Sequence, residues 1–229
     1  MSTNSGLRSA ISEEGFAIVE HVLDGKACDV IIARLHALGE AQAGTRNMLS
    51  EPWCADLARQ LRSLPALSAV LTPDMLAVQC TLFEKSTDRN WLVTCHQDLS
   101  IPVAERIEHT ALRGWATKED GLYVQAPEAL LAQLLAVRIH LDECGIDDGP
   151  LRVMPGTHNS GRLSDEAITA LRSSHQERAC PVSRGGVMLM RPLLLHASSK
   201  ASGASRRRVL HFLFGPRQLP FNLRWAHTI

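Results

Sequence analysis

From residue 76 onward the sequence is a series of short apolar runs, each bounded by Gly, Pro or Asp. Runs of only a few residues that are rich in Val, Leu, Ile and Phe are typical of β-strands rather than helices. The runs cover 77–83, 91–94, 136–141, 151–154, 187–190 and 209–214. Many short strands separated by turns predict a β-sandwich or barrel, because alternating βαβ units would need a helix between successive strands.

Helical patterns are concentrated in the first third of the chain, within 20–72. Val30, Ile31 and Leu35 recur at helical spacing, which predicts an amphipathic helix with one apolar face. Helices are predicted over 27–38, 54–63 and 65–71, after a first strand over 15–19. We therefore expect one domain, 1–229, with a mainly β fold and flanking helices that cover one outer face of the sheet.

The charge balance excludes several classes of partner. Lys plus Arg number 24 and Asp plus Glu number 24, so the formal net charge is zero. Binding to nucleic acid or to an anionic membrane needs a basic surplus. No apolar run in the sequence has the length that spans a bilayer. The expected partner is a small molecule, and the protein is expected to act as a monomer or a homodimer.

The cysteines occur singly, without a Cys-x-x-Cys pair, and the first residues show no apolar signal segment. This spacing favours reduced thiols in a cytoplasmic protein over a disulfide framework or a zinc knuckle. The residues concerned are Cys28, Cys54, Cys80, Cys95, Cys144 and Cys180.

A candidate metal motif, His96-Gln97-Asp98, directly follows one of the predicted strands. In extended chain, residues two apart point to the same face, so the His96 imidazole and the Asp98 carboxylate can converge on one ion while Gln97 points away. Two His and one carboxylate leave open positions on a metal, as in non-haem iron(II) oxygenases. Alone the motif is weak, because ten His and 24 acidic residues make chance matches frequent.

The C-terminal half adds residues that would complete such a site. His196 ends an apolar strand pattern, and Arg207 follows eleven positions later (207 − 196), at the start of a strand over 207–214. An Arg there can form a two-pronged bond with a carboxylate, as the far end of 2-oxoglutarate requires. Strand alternation places Arg206 and Arg208 on the opposite face. A basic surface patch formed by all three is the alternative.

A long segment, 101–127, lies between the metal motif and the next strand, and it contains Trp115, Lys118 and Tyr123. Long excursions from compact domains are often lids or binding loops. The segment is therefore a candidate lid, and Trp115 is a candidate pocket residue. A solvated surface insertion is the alternative interpretation.

Four stretches occur in a fixed order around these residues: 15–19 with the helix after it, 82–85 before the metal motif, 147–158, and 191–199 around His196. The third reads Asp-Asp-Gly-Pro-Leu-Arg-Val-Met-Pro-Gly-Thr-His. Together they resemble the phytanoyl-CoA dioxygenase family of iron(II)- and 2-oxoglutarate-dependent oxygenases, over most of the chain. The resemblance implies a double-stranded β-helix (a jelly roll, cupin-like) with iron at its wider mouth.

The resemblance also implies roles for individual residues. His96, Asp98 and His196 would bind the metal and form the catalytic centre. Arg207 would hold the far carboxylate of 2-oxoglutarate, and Ser198, two residues past the distal His, would bind the same carboxylate.

Further pocket residues follow from the same resemblance. Thr81 and Gln97 match positions that contact the co-substrate. Arg138 stands where some members place a Trp against 2-oxoglutarate, so this sequence departs from the family there. Arg138 would either reach an acidic group of the substrate or form a structural ion pair, and His140 on the same strand face would line the pocket. His211 matches no motif, which favours an ordinary surface or core role.

The implied reaction couples the oxidative decarboxylation of 2-oxoglutarate by O2, giving succinate and CO2, to hydroxylation of a second substrate. Iron(II) is the implied metal, with ascorbate as an additive in vitro. A chain of 229 residues leaves little room for an acyl-CoA site, which favours a small metabolite. One alternative is a cupin-like hydrolase or isomerase with zinc or manganese, in which Arg207 would have no role. A non-catalytic sensor on the same fold is another.

Overall fold

The structure, a computed structural model, describes residues 2–39, 44–86, 88–119, 121–202 and 206–229, and strands dominate it. The strands are β1 Phe16–Val19, β2 Gly44–Thr45, β3 Met75–Lys85, β4 Val93–His96, β5 Ser100–Pro102, β6 Arg113–Lys118, β7 Gly121–Gln125, β8 Leu135–His140, β9 Leu151–Val153, β10 Arg178–Cys180, β11 Val187–Met190, β12 His196–Ser198 and β13 Arg207–Pro216. The α-helices are α1 Ser2–Glu13, α2 Gly25–Ala37, α3 Pro52–Ser63, α4 Glu128–Leu131 and α5 Asp165–Ser174.

Two antiparallel sheets form the body of the fold. The larger has the strand order β1-β11-β8-β13-β3-β2, and the smaller has the order β10-β9-β12-β4. Neighbouring strands come from distant parts of the chain, since β13 pairs with both β3 and β8. This arrangement is a double-stranded β-helix, so the predicted jelly-roll, cupin-like fold class is confirmed.

The larger sheet is buried on both faces, which explains why its strands are almost continuously apolar. On β13, Leu210, Phe212 and Phe214 belong to the apolar cluster shared with α2 and α3. Leu213 belongs to a second cluster, which includes Val153 of the smaller sheet. Each fully buried side chain of this size stabilises the fold by about 2 kcal/mol. The helices therefore cover the outer face, and the site can form between the sheets.

The first helices agree with the sequence patterns except at one segment. Helix α2 begins after Asp24, whose side chain accepts a hydrogen bond from the Ala27 amide at 2.8 Å. The helix predicted over 65–71 is wrong, because this segment forms consecutive turns. Its buried residues, Leu67, Ala69 and Leu71, alternate instead of recurring at helical spacing.

Three of the described α-helices lie where the sequence predicted none: α1, α5 and α4, which is a single turn. Helix α1 is polar and buries Ile11 against the outer cluster. Helix α5 begins at Asp165 after the Ser164 cap and contains no buried residue among those that the structure describes. Helices α1 and α5 are less apolar on average than α2, although their amphipathic periodicity is no weaker. In the described part of the chain, no helix has the length and apolar character needed to cross a bilayer.

The segment 101–127 contains a small sheet of its own. Strands β5, β7 and β6 pair in that order. Ile101 and Val124 are fully buried and belong to the inner apolar cluster, so this sheet is packed onto the jelly roll. Asp120 lies outside the described residues. That the segment acts as a lid stays a prediction.

Candidate active site

Three side chains converge at one end of the smaller sheet. Strands β4 and β12 pair with His96 directly opposite His196, and the two ring centroids are 4.3 Å apart. Asp98 follows β4, where its backbone amide donates a hydrogen bond to Pro192 O at 2.8 Å. Asp98 Oδ1 lies 3.5 Å from His96 Nε2, and Asp98 Oδ2 lies 3.7 Å from His196 Nε2. The structure thus brings together the triad that the sequence predicted.

Backbone hydrogen bonds orient both imidazoles. His96 Nδ1 lies 2.8 Å from Thr94 O, and His196 Nδ1 lies 2.9 Å from Leu194 O. A carbonyl oxygen can only accept, so Nδ1 carries the proton in each ring and donates it. The Nε2 lone pairs are therefore available to a metal, which is how backbone partners commonly set the tautomer of His ligands.

The charges of the triad suit a divalent cation. Burial lowers the pKa of His196 to about 4, so this imidazole is neutral at pH 7. Burial raises the pKa of the Asp98 carboxyl, but His196 and His96 outweigh it and hold that pKa below its ordinary value. Two imidazole nitrogens and a carboxylate fit iron(II), and they also fit zinc and manganese. The triad alone does not select one metal.

The triad opens into a cavity of about 420 Å³ between the two sheets. The larger sheet contributes side chains from β3, β8 and β13 to its lining. The cationic lining residues are Arg46, Lys85, Lys118, Arg138 and Arg207. Asp98 is the only acidic residue among the described residues of this lining. The cavity is therefore suited to anionic molecules.

Arg207 and Lys85 face each other across β13 and β3 at one end of the cavity. Arg207 Nη1 donates to Gly149 O, while Arg207 Nε has no hydrogen-bond partner among the described residues. Lys85 Nζ donates to Ser198 Oγ at 2.8 Å and to Ser199 O at 2.7 Å. Burial, assisted by the Arg207 charge, lowers the pKa of Lys85 to about 8. Sequence reasoning assigned no role to Lys85.

A second cationic position is formed by Arg138 on β8. Arg138 Nη1 donates to His211 Nδ1 at 2.7 Å, and the guanidinium lies over the Phe83 ring, 5.5 Å from its centroid. Burial, and then the Arg138 charge, lower the pKa of His211 to about 3, so His211 accepts as a neutral ring. The structure shows no carboxylate paired with Arg138 in the part of the chain that it describes. His211, for which the sequence favoured an ordinary role, lines the cavity.

Ser198, Thr81 and Gln97 all line the cavity, with different hydrogen bonds. Ser198 Oγ, which accepts from Lys85, also lies 2.9 Å from Gly149 O, and Thr81 Oγ1 accepts from Gln79 Nε2 at 2.9 Å.

Gln97 instead fixes backbone around the site. Its Nε2 donates to Gly161 O at 2.8 Å and to Leu193 O at 2.7 Å, and its Oε1 accepts from Leu163 N at 2.8 Å. Because these bonds occupy both ends of the amide, Gln97 holds two loops together instead of presenting a free polar group to a co-substrate.

Two residues predicted for the pocket lie outside the cavity lining. His140 is on the same strand face as Arg138 but is 3% exposed, and its Nδ1 has no partner among the described residues. Trp115 lies on β6, where Arg106 covers its ring at 5.4 Å. Strand alternation correctly placed His140 on the same face of β8 as Arg138. It could not show that the cavity ends before it reaches His140. Trp115 lies outside the lining because β6 turns this side chain toward Arg106, and its role as a pocket residue stays a prediction.

Comparison with known proteins relates the chain to one family. The family model described as phytanoyl-CoA dioxygenase (PhyH) matches residues 11–209. No curated protein matches the sequence. The matched residues include the triad and both cations at the Arg207 end of the cavity.

Solved structures share the fold at low sequence identity. AviO1 from Streptomyces viridochromogenes Tue57 is 22% identical with a TM-score of 0.64, and the match covers 95% of this chain and 96% of AviO1. HygX from Streptomyces hygroscopicus, with nickel and 2-oxoglutarate bound, is 15% identical with a TM-score of 0.65 over 92% and 86% of the two chains. SnoK, a non-heme alpha ketoglutarate dependent carbocyclase from nogalamycin biosynthesis, is 14% identical with a TM-score of 0.69 over 94% and 86%.

Proposed function

Because the chain belongs to the phytanoyl-CoA dioxygenase family, we propose that it is a dioxygenase that hydroxylates a small molecule with 2-oxoglutarate as co-substrate. Family membership assigns it to the iron- and 2-oxoglutarate-dependent enzymes. The proposed reaction consumes 2-oxoglutarate and O2 and releases succinate and CO2. One oxygen atom enters succinate, and the other enters the hydroxylated product.

One observation carries this proposal: a single cavity contains both the His96-Asp98-His196 triad and the buried cationic pair of Arg207 and Lys85. A keto acid with a second carboxylate needs a metal at one end and cations at the other. A hydrolase or isomerase that uses the same triad with zinc would have no use for the two cations. A non-catalytic sensor would have no use for the open metal positions.

Different residues of the cavity would bind the metal and the co-substrate. His96, Asp98 and His196 would hold iron(II), which supplies the activation of O2 when bound. Arg207 and Lys85 would bind the far carboxylate of 2-oxoglutarate by charge-assisted hydrogen bonds. This second point of attachment orients the keto acid toward the triad.

The cavity walls contribute to the reaction by limiting water. Leu131, Leu134 and Leu151 line the cavity and offer water no hydrogen-bonding group. In surroundings of low polarity, each charged contact to the co-substrate is stronger than it would be in water. The reacting C–H bond of the substrate would be held in the remaining space beside the triad.

A small-molecule substrate is supported by the size of the cavity, about 420 Å³, which is within the range of ordinary ligand pockets. Fold relatives have been solved with such molecules: HygX with hygromycin B and the epimerase SnoN with nogalamycin RO. We propose a small metabolite or natural-product intermediate as the substrate of this chain. Hydroxylation is the proposed outcome, although relatives of this fold include an epimerase and a carbocyclase.

The test is metal analysis combined with co-substrate turnover. Purified protein supplied with iron(II), ascorbate and 2-oxoglutarate should form succinate slowly even without a second substrate. The matched control is Arg208→Gln, which changes the same strand outside the cavity. Tight zinc binding with no turnover of 2-oxoglutarate would contradict the proposal and favour the hydrolase.

A further inference from the structure

The buried cations of the cavity outnumber the carboxylates of the co-substrate. Arg207, Lys85 and Arg138 are 4%, 1% and 6% exposed, and all three line the cavity. Arg207 and Lys85 form one end, where the far carboxylate of 2-oxoglutarate would be bound. The keto acid at the other end of 2-oxoglutarate would be bound at the triad. Arg138 is the remaining buried cation, to which neither end of 2-oxoglutarate has been assigned.

Arg138 is held in position but not neutralised. His211 accepts one of its hydrogen bonds, and Phe83 lies against the guanidinium, but neither of these groups carries a negative charge. Arg138 Nε has no hydrogen-bond partner among the described residues. A buried charge without an opposite charge is unfavourable, so proteins usually pair such groups. Asp98 contributes a negative charge nearby, but a metal bound to Asp98 would neutralise it.

Further cationic side chains line the part of the cavity that is next to the segment 101–127. Lys118 on β6 lines the cavity with its Nζ over the Tyr123 ring, 5.1 Å from the centroid. Arg46 lines the cavity as well and pairs with Glu119 at 3.1 Å. Because Glu119 balances Arg46, Lys118 is the residue whose positive charge an anionic molecule would meet on a path past this segment to Arg138.

We propose that Arg138, held by His211, is a second anion-binding position in the cavity and binds a carboxylate of the molecule that this enzyme oxidises. This inference rests on the proposed function and names the substrate class: a small organic acid. Arg138 is then a specificity residue, because a neutral analogue would leave its guanidinium buried without a partner.

The experiment measures carboxylate binding without turnover. The protein is loaded with manganese(II) in place of iron and with saturating 2-oxoglutarate, and dioxygen is excluded. Acetate and benzoate are titrated by calorimetry, with acetamide and benzamide as neutral controls. For the wild-type protein we expect each acid to bind at least about tenfold more tightly than its amide, because a charged acceptor strengthens the hydrogen bond to Arg.

Variants assign this preference to Arg138. Arg138→Gln should abolish the preference for the acids, and Arg138→Lys should retain part of it. His211→Phe retains the Arg138 side chain but removes the acceptor that positions it, so it should weaken the binding of the acids by about three- to tenfold. Arg208→Gln, on the outer face of β13, should bind the acids as the wild type does. Should Arg138→Gln fail to fold, the Lys and Phe variants still measure the same preference.

The affinity for 2-oxoglutarate identifies the source of the carboxylate. Arg138→Gln should change it less than about threefold, whereas Arg207→Gln should weaken it at least about tenfold. If Arg138→Gln weakens the binding of 2-oxoglutarate as strongly as Arg207→Gln does, Arg138 binds the co-substrate and the inference is overturned. Equal binding of acids and amides by the wild type also overturns it. Failure of the wild type to bind 2-oxoglutarate would instead contradict the proposed function.

Discussion

The two faces of β13 place neighbouring arginines in opposite surroundings. On the outer face, Arg206 Nε donates to Glu84 Oε1 at 2.7 Å, and Arg208 donates to both oxygens of Asp142 at 2.6 and 2.8 Å. On the inner face, Arg207 is 4% exposed and contacts a backbone carbonyl, and no acidic side chain is paired with it among the described residues. Within the part of the chain that the structure describes, these arginines thus have a carboxylate partner only on the outer face.

This difference separates structural charges from binding charges. The outer arginines receive their carboxylates from the protein, so their interactions are complete when the chain folds. The inner cations, Arg207, Lys85 and Arg138, have no such carboxylate among the described residues and can be neutralised by a ligand. Substitutions on the outer face should therefore change stability, and substitutions on the inner face should change binding.

The largest effect is expected for Asp98, the acidic residue of the inner side. Asp98→Ala should reduce succinate formation by at least about 1,000-fold, because loss of a direct ligand exceeds the roughly 10- to 100-fold cost of losing an outer-shell partner. Metal content and initial rates measure the effect. The melting temperature of the metal-free protein should fall less than in Arg208→Gln. A variant that keeps both metal and turnover would exclude Asp98 as a ligand.

Arg208→Gln should produce the main loss of stability. The substitution leaves Asp142 without its charged partner, and breaking a buried ion pair costs about 3 kcal/mol. In a chain of this length that loss lowers Tm by about 6–12 °C. Thermal unfolding measures it, and the affinity for 2-oxoglutarate should stay at the wild-type value. A large loss of affinity with unchanged Tm would reverse the assignment of the two faces.

Arg207→Gln, on the same strand, should weaken ligand binding and change stability less than Arg208→Gln does. Loss of a hydrogen-bonded charge should weaken 2-oxoglutarate binding by about 10- to 100-fold, with little change in metal affinity. Calorimetry with manganese(II) measures both constants. Its Tm should exceed that of Arg208→Gln. If neither constant changes, the far carboxylate of the co-substrate is bound elsewhere.

The smallest effect is a pH dependence due to Lys85, whose pKa of about 8 results from burial and from the charges of Arg207 and Arg138, opposed by Cys144. Above pH 8 the free protein loses this charge, so the affinity for 2-oxoglutarate should fall several-fold toward pH 9.5, up to the limit of about tenfold per unit. Lys85→Met should bind more weakly and show a flatter profile. An equally steep profile in Lys85→Met would exclude Lys85 as the cause.

The lowered pKa of Lys85 also affects the free energy of unfolding. This contribution should rise with pH, whereas the affinity for 2-oxoglutarate should fall. The unfolded chain keeps the Lys85 proton up to its ordinary pKa of 10.5, whereas the folded chain releases it from about 8. Between these values the unfolded state binds more protons, so the contribution of Lys85 to the free energy of unfolding rises with pH. Denaturant titrations of the ligand-free wild type and Lys85→Met should show the difference in this window.

Local alternation made much of the site predictable. The spacing of His96 and Asp98 at a strand end indicated that the two side chains converge, and the alternation of Arg206, Arg207 and Arg208 indicated which one faces inward. These inferences need only the period of a β-strand. The fold class was predictable for the same reason, since the short apolar runs coincide with strands of the two sheets.

Residues whose roles depend on long-range pairing were missed. Lys85 becomes part of the site because β3 pairs with β13, more than a hundred residues later, and its Nζ reaches Ser198 of the opposite sheet. His211 is assigned to the cavity by its bond to Arg138, 73 residues away. Alternation along β13 places His211 on the same face as Arg207, and that signal could have indicated it. Alternation along β3 likewise places Lys85 on the same face as Thr81, but the apolar run that predicted this strand ended at residue 83, before Lys85.

The most direct test of the central claim is the fate of labelled dioxygen. Wild-type protein with iron(II), ascorbate and 2-oxoglutarate should form succinate that carries one labelled oxygen atom, in equal amount to the CO2 released. Asp98→Ala should form none, and Arg208→Gln should resemble the wild type at a temperature where it is folded. Absence of succinate from iron-loaded wild type, or succinate without the label, would contradict the assignment of this cavity as the site of a 2-oxoglutarate-dependent dioxygenase.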